Sequence, residues 1–357
     1  MHASPQKVSI VIPNKNRCEE LVHTLHTVQA QTYRRFECIV IDDNSTDSFE
    51  ERIAPFRDDA RFQFNQQSPT RGGAPAARND GARRSIGEFV IFLDSDDLLA
   101  PFCLEQRVRV MQSKPDLDFA VFPCEMFRSQ IGDTGLMWNA DSSEIDGEND
   151  LDRFIRHDVP WQTTAPIWRR TALMKALPWD EAAKSSQDWE FHLRALLAGM
   201  KYDRFGPIDF YWRMASAERQ SIGKNAVMDK AFHLSRLDLY RRIYRIATEA
   251  GAMTDARRKH FAGMYFTAVE KIGTKVHRAE GRRLWKCALT DGVISPGEYR
   301  QGWWLFANLR WNNRYAKLRA KLQERWPPEF FLPRSLTFMK APVPKPLRPT
   351  MNITEVA

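Results

Sequence analysis

The chain has 357 residues, 43% of them hydrophobic and 11% aromatic, with a formal net charge of +8. That length exceeds the usual single domain, so one large domain plus an appendage is expected, with enough apolar content for a proper core. No apolar run approaches the ~18 residues that cross a bilayer, and five cysteines without any CxxC spacing argue for reduced core residues rather than a disulfide frame or a zinc site.

The N-terminus runs straight into Val8 to Ile12, a β-branched strand closed by Pro13 and too short for a signal-peptide core, so an intracellular protein is expected. Glu19 to Ala30 has helical periodicity through Leu21, Leu25 and Val28. Glu37 to Ile41 is a second strand, ending in the turn cluster Asp42-Asp43-Asn44-Ser45-Thr46-Asp47, which also suits a helix N-cap. Phe62 to Phe64 is a short third strand, Ala74 to Ser85 a helix, and Phe89 to Leu93 a fourth strand. A helix opened by Pro101 runs to about Ser113, and Phe119 to Phe122 gives a fifth strand. Such alternation predicts an α/β domain whose mostly parallel sheet carries helices on both faces. Residues 126–225 are less regular, with Thr134 to Ser143 loop-like, Trp179 in a Pro-rich turn, a helix from Ser185 to Leu197, a strand from Asp209 to Arg213, and a polar loop from Ser216 to Lys224. Long helical patterns fill 226–325, and 326–357 reads as a Pro-rich basic tail. There are no internal repeats.

Chemistry concentrates in Gly87-Glu-Phe-Val-Ile-Phe-Leu-Asp94-Ser95-Asp96-Asp97, a buried strand ending in three carboxylates within four positions. Crowded carboxylates repel one another, and a hard divalent cation that can bridge to phosphate offsets the repulsion. In an extended chain Asp94 and Asp96 point the same way, as a metal held between protein and diphosphate requires. A solvated acidic turn is the bland alternative. Ligands of parallel sheets sit outside the carboxyl ends of the strands, so the clusters at 42–47 and 94–97 should share a cleft. No GxxxxGK[ST] loop and no GxGxxG fingerprint occurs, and Gly72-Gly73 is weak on its own.

Four segments in order carry a resemblance: Ile10-Val-Ile-Pro13-Asn14-Lys15-Asn16-Arg17, Cys38-Ile-Val-Ile-Asp42-Asp43-Asn-Ser-Thr-Asp47, Ala77-Arg78-Asn79-Asp-Gly81, and the strand ending in Asp94-Ser95-Asp96-Asp97. Together they resemble the family 2 glycosyltransferases, densely over the first 125 residues and thinly to about 225. The resemblance implies a Rossmann-like GT-A fold with a C-terminal helical region, inverting chemistry, a nucleotide-sugar donor with UDP favoured, and Mn2+ or Mg2+. It implies that Pro13, Asn14, Asn16, Arg17, Asp42 and Asp43 cradle base and ribose, with helix capping as the structural alternative for the 43–45 segment. Arg78 and Asn79 would lie near the donor. Asp94 and Ser95 would complete the donor contacts, with Asp96 as first choice of metal ligand and Asp97 as second.

Inverting transfer also needs a base for the acceptor hydroxyl. Ser186-Gln187-Asp188-Trp189-Glu190-Phe191 resembles the family's base motif, with Asp188 in the matching place and Gln187 where an acidic residue usually stands. A first-turn acid is also favoured by the helix dipole, which would lower its pKa. Glu190 reads as a helix-surface acid or acceptor contact. The family's Arg-x-His is absent, Arg213-Met214-Ala215 standing in its place, and Arg219 and Lys224 are diphosphate candidates by charge alone.

Within 301–340 eight Lys or Arg face only Glu324 and Glu329. Trp304, Trp311, Tyr315, Leu318 and Leu322 share one helix face beside a basic stripe of Arg310, Arg314, Lys317 and Lys321. That pattern suits an anionic membrane surface or a helix packed on the catalytic domain, and no nucleic-acid motif accompanies it. The expected partners are a glycan or lipid-linked acceptor, met in the cytoplasm or at the inner face of its membrane. A catalytically degenerate transferase-fold adaptor is the rival, given Gln187 and the missing His. A haloacid-dehalogenase-like phosphatase is disfavoured, because Leu98 stands where that family wants Thr or Val and its motif belongs on the first strand.

Overall fold

A computed structural model of the chain describes residues 6–138, 149–214, 230–275 and 278–308. The strands are β1 (Val8–Asn14), β2 (Phe36–Asp42), β3 (Phe62–Gln66), β4 (Phe89–Phe92), β5 (Leu98–Leu99), β6 (Phe119–Val121), β7 (Cys124–Phe127), β8 (Leu136–Trp138), β9 (Pro166–Arg169), β10 (Tyr202–Arg204) and β11 (Phe210–Arg213). The helices around them are α1 (Cys18–Gln29), α2 (Phe49–Ile53), α3 (Ala74–Arg84), α4 (Cys103–Ser113), α5 (Asp150–Ile155), α6 (Arg170–Ala176) and α7 (Gln187–Leu197). Four further helices follow: α8 (Lys230–Glu249), α9 (Asp255–Lys275), α10 (Arg278–Thr290) and α11 (Pro296–Asn308).

Seven strands form the main sheet in the order β10-β6-β9-β4-β1-β2-β3, and β5-β11-β7-β8 form a second, smaller sheet. All pairings in the main sheet are parallel except those of β9, which runs antiparallel between β4 and β6. Every residue of β1 and β2 is buried, as expected of Val- and Ile-rich strands covered on both faces. Pro13 does not close β1 as anticipated, because the strand continues to Asn14 with Pro13 opposite Ile41. A proline is tolerated there because β4, the neighbour on the other side, pairs only as far as Val11 opposite Phe92.

Local chemistry explains how α3 reaches the sheet. A Cβ on Gly81 would come within 2.3 Å of Val11 Cγ1, so the glycine is what lets α3 lie directly on β1. The stretch expected to be loop-like from Thr134 contains strand β8, which pairs antiparallel with β7. Four of the five cysteines are buried, and all are free thiols.

The two sheets are joined by a fully buried ion pair. Arg107 on α4 donates from Nε and Nη2 to both oxygens of Asp209 at 2.8 Å, with both side chains at 0% exposure. Its remaining Nη1 donates to the carbonyl of Thr164 at 2.8 Å, and the guanidinium lies between the rings of Phe122 and Phe210. Further along, α8 rests on α7 through Tyr240 against Trp189, ring centroids 5.6 Å apart, and Arg257 of α9 pairs with Asp152 of α5 at 2.6 Å. No helix among the described residues is long and apolar enough to cross a membrane. The 326–357 tail, the side chain of Trp304, and all of Trp311, Tyr315, Leu318, Leu322 and the adjoining basic stripe lie outside what is described.

Breaking one side of a buried, hydrogen-bonded pair strands the other charge. Arg107→Met is therefore expected to destabilise the protein by about 3–5 kcal/mol, read as a lowered midpoint in urea denaturation.

Candidate functional site

The carboxyl ends of β1, β2, β3 and β4 open on one side of the sheet, and the acidic clusters meet there. Asp42, at the end of β2, is 4% exposed and accepts hydrogen bonds from Asn14 Nδ2 at 2.9 Å and from the backbone N–H of Ser45 at 2.9 Å. Asp43, equally buried, accepts from Lys15 Nζ and from the Gly73 backbone N–H, both at 2.9 Å. Asn16 sits in the left-handed region at φ 50° and ties this loop to the 45–46 turn, donating from its backbone to Ser45 Oγ at 2.8 Å and accepting from Thr46 N–H at 2.7 Å. The next helix, α2, has Ser48 rather than a residue of the 43–45 segment at its N-cap, and it is Asp47 that accepts from the backbone N–H of Cys18 at the start of α1.

The second cluster departs from the extended geometry. Asp97 N–H donates to the Asp94 carbonyl at 3.1 Å, so residues 94–97 form a turn and Asp94 and Asp96 engage two different arginines. Arg78 Nη2 donates to Asp94 Oδ1 at 2.7 Å, while Arg17 Nη1 pairs with Asp96 Oδ2. Asp97 is not placed to ligate metal, which corrects the second-choice assignment. It is 0% exposed and turned inward, accepting from Thr164 Oγ1 at 2.9 Å and from the Arg213 backbone N–H at 3.1 Å. Burial, with Asp96 and Asp94 nearby, holds its pKa well above the usual range. Ser95 is buried, and its carbonyl, like that of Asp97, accepts from Thr24 of α1.

Asn79 is a further correction. Its Nδ2 donates to the Trp179 carbonyl at 3.0 Å and to Glu181 at 2.9 Å, and its Oδ1 accepts from the Trp179 N–H at 2.8 Å. At 1% exposure the amide is committed to holding the 179–181 loop rather than a donor. Glu190, expected on the helix surface, is 5% exposed and paired with Arg194 at 2.6 Å.

Arg78 links this cluster to the base candidate. Its Nη1 donates to Gln187 Oε1 at 3.0 Å, and its guanidinium lies 4.8 Å from the centre of the Trp179 ring. Asp188 follows Gln187 in the first turn of α7 and its Oδ1 accepts from the Trp189 N–H. The dipole does not prevail at Asp188. Burial raises its pKa, with a smaller upward push from Asp94, against the downward pull of the Trp189 N–H and Arg78.

Sequence reasoning missed several contributors. Arg213 donates from Nε to the Asp96 carbonyl at 3.0 Å, so the residue opening the altered Arg-x-His stretch fixes the acidic turn. Gln67, just past β3, is 2% exposed, and among the described residues neither its amide nitrogen nor its side-chain oxygen has a hydrogen-bond partner. Its backbone N–H donates to the Asp42 carbonyl, which sets it beside the first cluster. Only its place at a parallel strand's carboxyl end could have marked it. Arg219 and Lys224 lie outside the described residues.

Among the described residues no three His, Cys, Asp or Glu side chains form a metal site by themselves. Mg2+ and Mn2+ need only one or two carboxylates when substrate phosphates and water complete the shell, and the partly exposed Asp94 and Asp96 fit that demand. A groove of about 360 Å³ beside Asp42 is lined by Phe49, Phe64, Asn65 and Gln66 among others.

Residues 9–174 match the profile of Glycosyl transferase family 2. An uncharacterized glycosyltransferase of Rickettsia conorii is 36% identical over 106 residues, 30% of this chain and 17% of that protein. The poly(ribitol-phosphate) beta-N-acetylglucosaminyltransferase TarP of Staphylococcus aureus is 38% identical over 102 residues, 28% of this chain and 31% of TarP. The match thus spans well under half the length of either relative. The crystal structure of S. aureus TarS residues 1–349 with UDP-GlcNAc superposes with a TM-score of 0.61 at 19% identity, covering 83% of this chain and 81% of that one. The fold is of the GT-A type.

Asn79→Leu leaves the Trp179 N–H without an acceptor, at a cost of about 1–3 kcal/mol for a buried donor. Faster hydrogen exchange at the Trp179 amide together with a lower melting temperature is the expected result.

Proposed function

We propose that the chain, whose residues 9–174 match glycosyl transferase family 2, transfers a sugar, with inversion, from a UDP-sugar to a glycan or lipid-linked acceptor. The observation that carries the reading is the run Gln187–Arg78–Asp94, which ties the helix bearing Asp188 to the acidic strand end. A base and a diphosphate site are useful to one reaction only when held in one frame.

In this reading the acceptor hydroxyl attacks the anomeric carbon as Asp188 takes its proton, the bond to the diphosphate breaks, and nucleoside diphosphate leaves. A raised carboxyl pKa makes Asp188 a better proton acceptor than a solvated aspartate. Asp96, with Asp94, would hold the divalent cation, which when bound neutralises charge on the leaving phosphate. Asp42 and Gln67 would meet the base and ribose, since a carboxylate accepts from N–H and hydroxyl groups and an amide offers donor and acceptor side by side. The likeness to TarS, whose structure holds UDP-GlcNAc, supports a UDP-linked donor, and the poly(ribitol-phosphate) in TarP's name supports a glycan acceptor. The basic aromatic stripe of 304–322 supports encounter with an anionic membrane from the cytoplasmic side.

Calorimetric titration of UDP, GDP and dTDP, with and without Mn2+, tests the donor site. Metal-dependent binding of UDP, lost in Asp96→Ala, is the expected outcome. No binding of any nucleotide under either condition would sink the transferase reading in favour of an adaptor.

Asp188→Asn should lower kcat by about 10²–10⁴-fold with nucleotide affinity intact. The base works ionised, so wild-type kcat/KM should fall as pH drops through a raised Asp188 pKa. The acid limb is then expected above the ordinary value of 3.8, and a limb at or below it would remove Asp188 from that role.

A further inference from the structure

The Arg17–Asp96 contact joins residues far apart in sequence and takes up the carboxylate best placed for a metal. Resting on the donor-site reading above, we propose that Arg17 is an exchange residue. It neutralises Asp96 until a divalent cation claims that carboxylate, and then turns to the donor's diphosphate, so that metal and nucleotide bind as a coupled pair.

Three observations carry this. First, each of the two partly exposed carboxylates of the acidic turn meets an arginine, Arg78 on Asp94 and Arg17 on Asp96. A cation arriving alone must break an ion pair and sit beside two arginines, and a diphosphate arriving alone meets two carboxylates. Arriving together, the cation replaces Arg17 on Asp96 and the phosphate oxygens replace Asp96 on Arg17, so no charge is stranded.

Second, the two arginines are not equally free to move. Arg78 has a side chain only 6% exposed, also bonds Gln187, and lies over Trp179. Arg17 and Asp96 retain side-chain exposures of 32% and 20%. The fully buried Arg107–Asp209 pair marks the other extreme, since it cannot open without exposing the core.

Third, the backbone bearing Arg17 is already fixed. Asn16 is bonded to Ser45 and Thr46 on one side, and on the other the Arg17 carbonyl accepts from Leu21 N–H in the first turn of α1. Exchange then needs only a change of side-chain rotamer. Lys15, one residue earlier, pairs with Asp43 through a side chain 59% exposed and is free to shift in the same way.

The consequence has opposite signs for the two ligands. Removing Arg17 unmasks Asp96, so Mn2+ alone should bind Arg17→Ala more tightly than wild type, by about twofold to fivefold for a partly exposed pair. UDP in the presence of Mn2+ should bind the variant more weakly. Coupling between two ligands is reciprocal, so the factor by which UDP tightens Mn2+ binding should collapse as well.

The test is electron paramagnetic resonance of free Mn2+, with and without UDP, on wild type, Arg17→Ala and Arg17→Gln, beside UDP calorimetry and a thermal melt of each. In wild type UDP should tighten Mn2+ by on the order of tenfold, and both variants should show tighter Mn2+ alone with most of that gain lost. The glutamine variant keeps the stem and polarity of the side chain, so it carries the same expectation should the alanine variant fold poorly. Mn2+ binding alone that is unchanged or weaker in the variants, or an unchanged coupling factor, overturns the proposal while leaving the donor site standing. Wild type that binds no UDP at any Mn2+ concentration overturns the donor-site reading as well.

Discussion

Negative charge gathered at the carboxyl ends of β2 and β4 is the constraint to which the surrounding structure answers. Asp42, Asp43, Asp94, Asp96 and Asp97 stand on neighbouring turns, and their charge is compensated in different ways. Asp42 is satisfied by neutral donors, Asn14 and Ser45, and Asp43 by Lys15 and a backbone amide. Asp94 and Asp96 each take an arginine. Asp97, with no cation on its carboxylate among the described residues, sits buried with its pKa raised and hydroxyl and amide donors around it. Neutral donors, cations and full burial thus give five similar side chains different surroundings.

That sorting requires distant parts of the chain to arrive together. Thr24 of α1 holds the carbonyls of the acidic turn, Arg213 at the end of β11 holds it from the other sheet, and Thr164 before β9 bonds Asp97. The Arg107–Asp209 pair makes the two sheets one frame, since α4, β11 and the Thr164 carbonyl all converge on it. A rigid frame matters because a site that positions a donor and a base gains little from either if they drift by an ångström.

Elements with a strong local signal were legible in the sequence. β4 is an uninterrupted apolar run, β1 and β2 are apolar runs broken only by Ser9 and Glu37 before their polar ends, and α1 carries helical periodicity through Leu21, Leu25 and Val28. Short strands such as β5, β9 and β10 were not legible, because two to four residues hold no period and their pairing is decided by remote partners. The same limit applied at the site. Asp94 and Asp96 were identifiable as a candidate pair, but their orientation depends on a turn that an extended-strand argument cannot foresee. Asn79 and Arg78 are sequence neighbours in one motif, yet a helical step sends one toward the Trp179 loop and the other toward Asp94. Gln67 carries no local signal beyond its place at a strand's carboxyl end, and its amide beside Asp42, unpartnered among the described residues, is what distinguishes it.

The base candidate shows why local electrostatics must be weighed against burial. A carboxylate in the first turn of a helix is ordinarily favoured in its charged form by roughly 0.3–1 kcal/mol. Asp188 has that position and still has a raised pKa, because desolvation outweighs the N-terminal amides. Beneath it, α7 rests on an aromatic layer in which Trp179 stacks on Phe191 at 4.0 Å and Trp168 lies parallel to His192. His192 is fully buried, and desolvation pushes its pKa down to about 3, so the ring carries no charge at neutral pH. An uncharged support leaves Arg78 and Asp94 as the charged residues that act on the base. They pull in opposite directions, Arg78 lowering and Asp94 raising the proton affinity of Asp188. Under the proposed reading Arg78 is the held partner, bonded to Gln187 and Asp94 and lying over Trp179, so a cation drawing charge from Asp94 would weaken the upward push on Asp188 through a fixed guanidinium frame.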